Sequence, residues 1–527
     1  MPSTIKDIPL TTTQTANTYP APISLDNMIM RLYRFLFGDG GSEIIYTLVV
    51  DVSSEEEQQA PTIPDPQRLA EEKALVWKLD KRILPFACLL YLFAYLDRSN
   101  LGNARLQGLA DDILDGDPTG RKFDWVNSVF FFSYIIFQIP ASVLSKLCPP
   151  RVWMACSAAG WGLSSTLMAA AFNYAGAIVC RLFLGVFESG FAPAIPVYFS
   201  FFYTKEEMGL RMAYWFGFAA VAGAFGGLIA FGTQHVHAAI SSWRILFIIE
   251  GIPPVLLALL TLFYLPNRPE VTSFFNERER ELALERINRD STADTGATVN
   301  KEHIWMAFKD WRIYIAGVIY FGLNGALASI SAFLPTIVQT LGFNNARAQL
   351  MSVPPYAVAA VLLVTFSMAS DRMQSRGTFM TASSAIGGIG YLLMLTVKDD
   401  DHVRYFGVVC IVAGTYTTIG LIIAWFAHNL GSETKKATGI PMFMAIGQCG
   451  SVMGTHLFPK IEGPHYIKGF AVLCALEFLA AICSAILSIS YRWDNARRNR
   501  LYGKPKPGDK VNTHELADKA PGFRYVV

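Results

Sequence analysis

Residues 91–104 read YLFAYLDRSNLGNA. An apolar run of 14 residues, Ile83–Leu96, ends in an acid and a base, Asp97 and Arg98, and then resumes weakly. A helix needs about 20 residues to cross the hydrocarbon core of a bilayer. The apolar run alone is too short, so a membrane-crossing helix here has to carry both charges. A charged group at mid-bilayer costs about 2.5–3.5 kcal/mol on insertion scales, and such groups face a bundle interior or an aqueous path. Adjacent helix positions point away from each other, so Asp97 and Arg98 do not neutralise one another. Each is expected to look to another helix.

Composition sets the class around this stretch. Of 527 residues, 52% are hydrophobic and 16% are charged, against about 25% charged in soluble domains. Mean hydropathy is +0.33. Twelve apolar segments reach spanning length: 83–108, 125–145, 152–172, 175–202, 209–232, 243–265, 312–340, 347–369, 378–397, 405–428, 436–458 and 467–491. Runs this long read as helices, because only a helix satisfies its own backbone within hydrocarbon. The expected fold is an all-α membrane protein of twelve transmembrane helices in two six-helix bundles, residues 81–265 and 312–491. A tail, 1–80, precedes them and is read as largely disordered, with 28–38 (MIMRLYRFLFG) as an alternative interfacial helix. A central loop, 266–311, holds a short amphipathic helix near 276–290 whose charged face is expected to be solvated. A second tail, 492–527, follows.

Several function classes drop out. A net charge of +2 gives no reason to expect nucleic acid. The eight cysteines form no CxxC or Cys/His cluster, so neither a metal site nor a disulfide framework is expected. There is no nucleophile elbow, P-loop or dinucleotide fingerprint. No cofactor is expected, and the chain is not read as an enzyme.

Basic residues set the orientation. Lys78, Lys81 and Arg82, then Lys146 and Arg151, Arg372 and Arg376, Lys435 and Lys436, and Arg492 onward fall on one side if the spans alternate. Asp111, Asp112, Asp115, Asp117 and Asp399–Asp401 fall on the other. Both tails and the central loop are therefore expected in the cytoplasm.

The fourth span, CRLFLGVFESGFAPA, supplies Arg181 and Glu188. Seven residues is two helical turns, so both lie on one face, about 10 Å apart along the axis. Two spans thus contribute one acid and one base each. Facing lipid, the four would cost about 10–14 kcal/mol. Arginine presents a permanent planar fork that fits a carboxylate, and buried acids exchange protons. An anion site coupled to protons uses all four. Two interhelical ion pairs that only hold the bundle together would use them as well.

The turn SKLCPPRVWM (145–154) is echoed by SDRMQSRGTFM (370–380). A 6+6 chain with these turns resembles the major facilitator superfamily. The second turn fits that superfamily's short Asp-Arg…Arg pattern through Asp371, Arg372 and Arg376. The first has Ser145 where the acid stands. Lys146, Arg151, Asp371, Arg372 and Arg376 are the gating residues the resemblance implies. YLFAYLDRSNLGNA and RLFLGVFESGFAPA, with WRILFIIEGIPPVLLAL (243–259) and AWFAHNLGSETKKA (424–437), resemble the anion:cation symporter family and its fungal allantoate permease-like branch. The likeness runs over about residues 68–500. It implies Asp97 and Glu188 as proton carriers and Arg98 and Arg181 as grips on an anionic substrate. It also implies proton-coupled uptake of a small organic anion (a carboxylate vitamin, ureido acid or aromatic acid) at a plasma membrane.

Tyr320, Asn324, Tyr416 and Gln448 are the polar groups of the second half that could meet a substrate. Each would serve equally as an interhelical hydrogen bond. Gly223 and Gly227, and Gly450 and Gly454, have the four-residue spacing that lets helices approach closely. The expected partners are a small organic anion, protons and the lipid bilayer; a monomer is expected. A non-transporting nutrient sensor and an exporter or vacuolar transporter of the same fold remain as alternatives.

Overall fold

The computed structural model describes residues 66–236, 238–291, 301–504 and 515–527. The possible interfacial stretch 28–38 and nearly all of the expected disordered tail lie outside the described residues.

The first helix, α1, runs from Pro66 to Leu106. It starts well before the apolar run, so residues 66–80 are its first turns rather than part of a tail. Leu75, Leu79, Ile83, Ala87, Leu90 and Ala94 are all buried. They recur every three or four residues and make one stripe, which carries the helix beyond the apolar segment. A short α2, Leu109–Ile113, follows. Then come α3 (Arg121–Leu147), α4 (Pro150–Met168), α5 (Tyr174–Glu188), α6 (Ala194–Ser200), α7 (Lys205–Gln234) and α8 (Ser242–Tyr264). The expected fourth span is broken between α5 and α6. Pro193 and Pro196 cannot donate to the turn before them, and the Trp153 indole N–H instead satisfies the Gly190 carbonyl at 2.7 Å.

The linker carries α9 (Glu277–Ser291) and α10 (Lys301–Lys309). Much of the charged face of α9 is solvated as expected, with Glu277, Arg278, Glu281 and Glu285 exposed, but part of it is docked. Glu279 accepts from Lys78 at 2.8 Å, and Glu285 accepts from Arg68 at 2.7 Å. Buried Arg286 pairs with Glu207 at the start of α7. The extended start of α1 provides the surface that α9 needs.

The second half contains α11 (Trp311–Gln339), α12 (Asn345–Met351), α13 (Val353–Met373), α14 (Arg376–Thr396), α15 (Asp401–Asn429), α16 (Glu433–Gly454) and α17 (Ile467–Tyr502). Seven of the described helices are long and apolar enough to cross a membrane by those criteria alone. Counting α5–α6 and α12–α13 as one rod each gives twelve rods.

The halves repeat one packing scheme. In the first, α4 packs on α8 and α3 on α5; in the second, α14 packs on α17 and α13 on α15. Between halves, α7 meets α13 and α3 meets α16. These two contacts exchange when the halves exchange, as a pseudo-two-fold axis requires. Gly223 faces α13 and Gly227 faces α12, where a Cβ would stand 2.4 Å from the Tyr356 ring and 2.8 Å from the Gln349 carbonyl respectively. Gly450 and Gly454 serve a different contact inside the second half, against the Phe321 and Gly325 carbonyls of α11.

Hydrogen bonds that join the halves lie in the central layer or toward the acidic end. Tyr95 meets Ser331 and Tyr416. Ser128 meets Thr455 and His456, both at 2.7 Å. Gln349 and Asn345 donate to the Asn103 and Leu106 carbonyls. A Cβ on Gly102 would stand 2.6 Å from the Ala332 carbonyl oxygen, so α1 and α11 touch backbone to backbone.

At the basic end residues 515–527 return to the bundle. The Val526 carbonyl accepts from Trp425 and Asn429, each at 2.8 Å. Arg498 donates to the carbonyls of Asp518 and Phe523 at 2.8 and 2.9 Å. Lys435, one of the basic residues used to set the orientation, is buried between Asp310 (2.6 Å) and Asp518 (2.7 Å).

Candidate functional site

The four central charges are all brought together, but in pairs that their spacing does not reveal. Asp97 is fully buried. Its Oδ1 accepts from the Ser165 hydroxyl of α4, and its Oδ2 has no partner among the described residues. Arg98 reaches across to α5 and pairs with Glu188. Its guanidinium lies 5.1 and 5.4 Å from the ring centres of Phe130 and Tyr134 on α3. Arg181 donates to the Asp97 main-chain carbonyl at 3.2 Å and to Asn127 Oδ1 at 3.4 Å. Its own side-chain Nε has no partner, nor have Arg98 Nε and Glu188 Oε2. Hydrogen-bonding capacity is therefore left over around the cluster, on both the basic and the acidic side chains.

The second half presents aromatic groups. The Tyr416 hydroxyl meets that of Tyr95, and their rings cross edge to face at 6.1 Å. Tyr356 crosses the other side of Tyr416 at 5.6 Å. Tyr320 is buried against Phe443 and lies within electrostatic reach of Arg98. On the first half Tyr91 packs against Trp215, ring centres 4.0 Å apart. The site is thus charged on one side and phenolic on the other.

Two expected residues are occupied on their own helices. The Asn324 amide donates to the Tyr320 carbonyl at 2.8 Å. Gln448 accepts from Ser451 at 3.2 Å. At the basic end Arg376 binds Asp371 Oδ1 at 2.7 Å, while Arg372 is exposed. Arg151 is tied to Asn267 through its main-chain N–H at 3.2 Å. The Lys146 side chain lies outside the described residues.

Sequence reasoning missed Tyr91, Tyr95, Asn127, Tyr134, Ser165 and Tyr356. One signal was present: Tyr91, Tyr95 and Arg98 fall four and three residues apart, on one helical face. It also passed over Glu477 of α17, fully buried and accepting from Thr415 at 2.7 Å.

Comparison with known proteins agrees with this architecture. The model of the Major Facilitator Superfamily matches residues 87–455, and the chain belongs to that superfamily. Its relatives are fungal transporters. It is 35% identical over 443 residues to the MFS transporter prlL of Fungal sp. (strain NRRL 50135), covering 82% of this chain and 89% of that one. It is 31% identical to the high-affinity nicotinic acid transporter of Saccharomyces cerevisiae, covering 90% of each. It is 31% identical to the major facilitator-type transporter hxnP of Emericella nidulans, covering 86% of this chain and 93% of that one. Among solved structures, the proton:xylose symporter XylE bound to 6-bromo-6-deoxy-D-glucose superposes with a TM-score of 0.62 at 13% identity, over 79% of this chain and 96% of that one. That likeness is one of fold. The chain is a multi-pass membrane protein and a secondary transporter of small molecules.

Proposed function

We propose that the chain is a proton-coupled importer of a small organic anion, a monocarboxylate with a flat ring fitting the site best. The pairing of Arg98 with Glu188 carries this reading. A substrate carboxylate arriving at Arg98 competes with Glu188 for the same guanidinium. Once displaced, Glu188 is a buried acid without a counter-charge, and a proton from the outer side neutralises it. Anion and proton then enter together because neither is favourable alone. Arg181, beside Asp97, offers a second grip, and the phenol wall of Tyr320, Tyr356 and Tyr416 suits an aromatic ring. The resemblance to a nicotinic acid transporter supports the same substrate class.

With the basic end in the cytoplasm, the described form is latched on its outer side. Asp371 with Arg376, and Lys146, Arg151 and Arg372 around the same end, then act as cytoplasmic latches of the opposite form. A plasma-membrane location and a monomeric carrier complete the proposal.

The test is uptake of radiolabelled carboxylates, nicotinate first, by cells expressing the protein at acidic and at neutral pH. Uptake stimulated by acid and lost in Asp97→Asn, Arg181→Gln and Glu188→Gln, at unchanged surface level, is expected. Uptake that ignores both pH and the two acids leaves an anion facilitator instead.

A further inference from the structure

One buried acid of the first half has no part in the cycle above. Glu250 stands in the middle of α8, fully buried, and neither of its carboxyl oxygens has a hydrogen-bond partner among the described residues. The backbone places it level with Asp97. Its neighbour Gly251 is so close to α4 that a Cβ would stand 2.6 Å from Thr166. The next residue back on α4, Ser165, is the donor to Asp97. Asn100, one turn beyond Asp97 on α1, is also fully buried. It stands beside Glu250, and neither of its amide atoms has a partner within hydrogen-bond geometry among the described residues. Asp97 Oδ2, the Glu250 carboxyl and the Asn100 amide therefore share one core between α1, α4 and α8.

Of the charged groups around this core, Arg181 acts only from the Asp97 side, and among the described residues no cation lies within electrostatic reach of Glu250. From α1, Arg98 is engaged with Glu188 of α5. From α5, Arg181 donates to the Asp97 main chain and to Asn127. On α8 itself, Arg244 donates to the Ala169 carbonyl at 2.6 Å, toward the acidic end. The residues of α4 that face the core, Ser165 and Thr166, are uncharged. Glu250 has an acid, Asp97, within electrostatic reach and no cation of its own, so the two carboxylates do not both stay ionised. Such groups hold and release protons as a unit.

We propose that Asp97 and Glu250 form a buried carboxyl pair that binds one proton between them, with Asn100 as its hydrogen-bonding partner. Glu250 is then a third proton-carrying residue of the first half, beside Asp97 and Glu188. This rests on the proton-coupled reading for its role, though not for its existence. The protonated Glu250 O–H donates to Asp97 Oδ2 or Asn100 Oδ1. Transfer of that proton to Asp97 leaves the negative charge on Glu250, away from the site that holds the substrate. The pair thus keeps a net charge of one whichever residue carries the proton, and the anion never meets two uncompensated acids.

The test is infrared difference spectroscopy of the full-length protein in lipid nanodiscs, in the region where protonated carboxyls absorb. Wild type, Glu250→Gln and Asp97→Asn are compared, with thermal melts to establish folding and Glu250→Asp as the variant to use if glutamine does not fold. The expected result is a protonated-carboxyl band at neutral pH that Glu250→Gln removes, or Glu250→Asp moves, and that Asp97→Asn shifts. A band untouched by either change at position 250 overturns the pair. So does a band that appears only when sodium is replaced by choline, since a sodium ion then holds the two acids. A band lost in Glu250→Gln, with wild-type uptake indifferent to pH, keeps the pair and removes the coupled reading. Acid-driven uptake with an unaltered band in Glu250→Gln does the reverse.

Discussion

The hydroxyl of Tyr95, on the first half, meets that of Tyr416, on the second, one turn from the charged pair Arg98–Glu188. This bond crosses the boundary on which alternating access depends. Removing one hydroxyl at a buried site costs about 0.5–1.5 kcal/mol of net hydrogen bonding. Tyr416→Phe is therefore expected to weaken the latched form by up to about tenfold in its equilibrium. The change should appear in uptake as a higher KM with normal surface expression. A double variant with Tyr95→Phe should lose less than the sum of the two single variants, because the Tyr95–Tyr416 bond is shared and only the Tyr95–Ser331 bond is lost in addition. Additive losses would show that they act separately.

Arg98→Gln should be far more damaging than Arg98→Lys. It leaves Glu188 buried without a partner, and breaking a buried pair from one side costs about 3–5 kcal/mol. Lysine keeps the charge but loses the fork that a carboxylate fits. Melting temperatures in detergent should fall for glutamine and hold for lysine, while the substrate KM rises in both. Adding Glu188→Gln to Arg98→Gln should recover much of the lost stability and none of the uptake.

Gly102→Leu should trap the carrier. A Cβ there would meet the Ala332 carbonyl at 2.6 Å, and backbone cannot move aside as a flexible side chain can. The α1–α11 contact at the acidic end would open, and cysteines introduced along the outer half of α1 should become reactive to impermeant thiol reagents. Unchanged reactivity would mean that this contact does not gate the site.

Docking of α9 should depend on pH. Burial works to raise the Glu279 carboxyl, but the hydrogen bonds from Lys78 and from the Asn276 N–H overcome it and hold it below its ordinary value. A carboxyl lowered in the folded state stabilises at every pH above its unfolded value, about 4.3, and loses that contribution as the pH falls through the folded value. Protease cleavage within 277–291 should accordingly quicken only below the usual carboxylate range. Glu279→Gln should be cleaved faster already at neutral pH.

How much of this could be read beforehand depended on how local each cause is. The Asp97–Arg98 interruption, the charges of the fourth span and the helical period are local, and they gave the rods, the halves and the four central groups. The fourth-span break needed the Trp153 indole, a partner from another rod. Asn324 and Gln448 looked available for substrate because a sequence does not show that a helix's own backbone or side chains already engage them. Tyr95 and Tyr416 are 321 positions apart, and nothing in either neighbourhood announces the other. The return of residues 515–527 was hidden for a similar reason. Arg498 and Lys435 entered the sequence reading only as orientation charges, because Asp518 and Phe523, which engage them, lie in a segment that folds back from beyond the last span.

The asymmetry of the site has a consequence for how such carriers diversify. The four central charges, Asp97, Arg98, Arg181 and Glu188, stand on the first half, and the phenols Tyr320, Tyr356 and Tyr416 stand on the second. On the proton-coupled reading proposed above, a new cargo is accommodated by recutting Tyr320, Tyr356 or Tyr416 while the groups proposed to carry the proton stay intact. Chimeras that join residues 66–265 of this chain to the second half of a relative should inherit the relative's taste and keep this chain's motor.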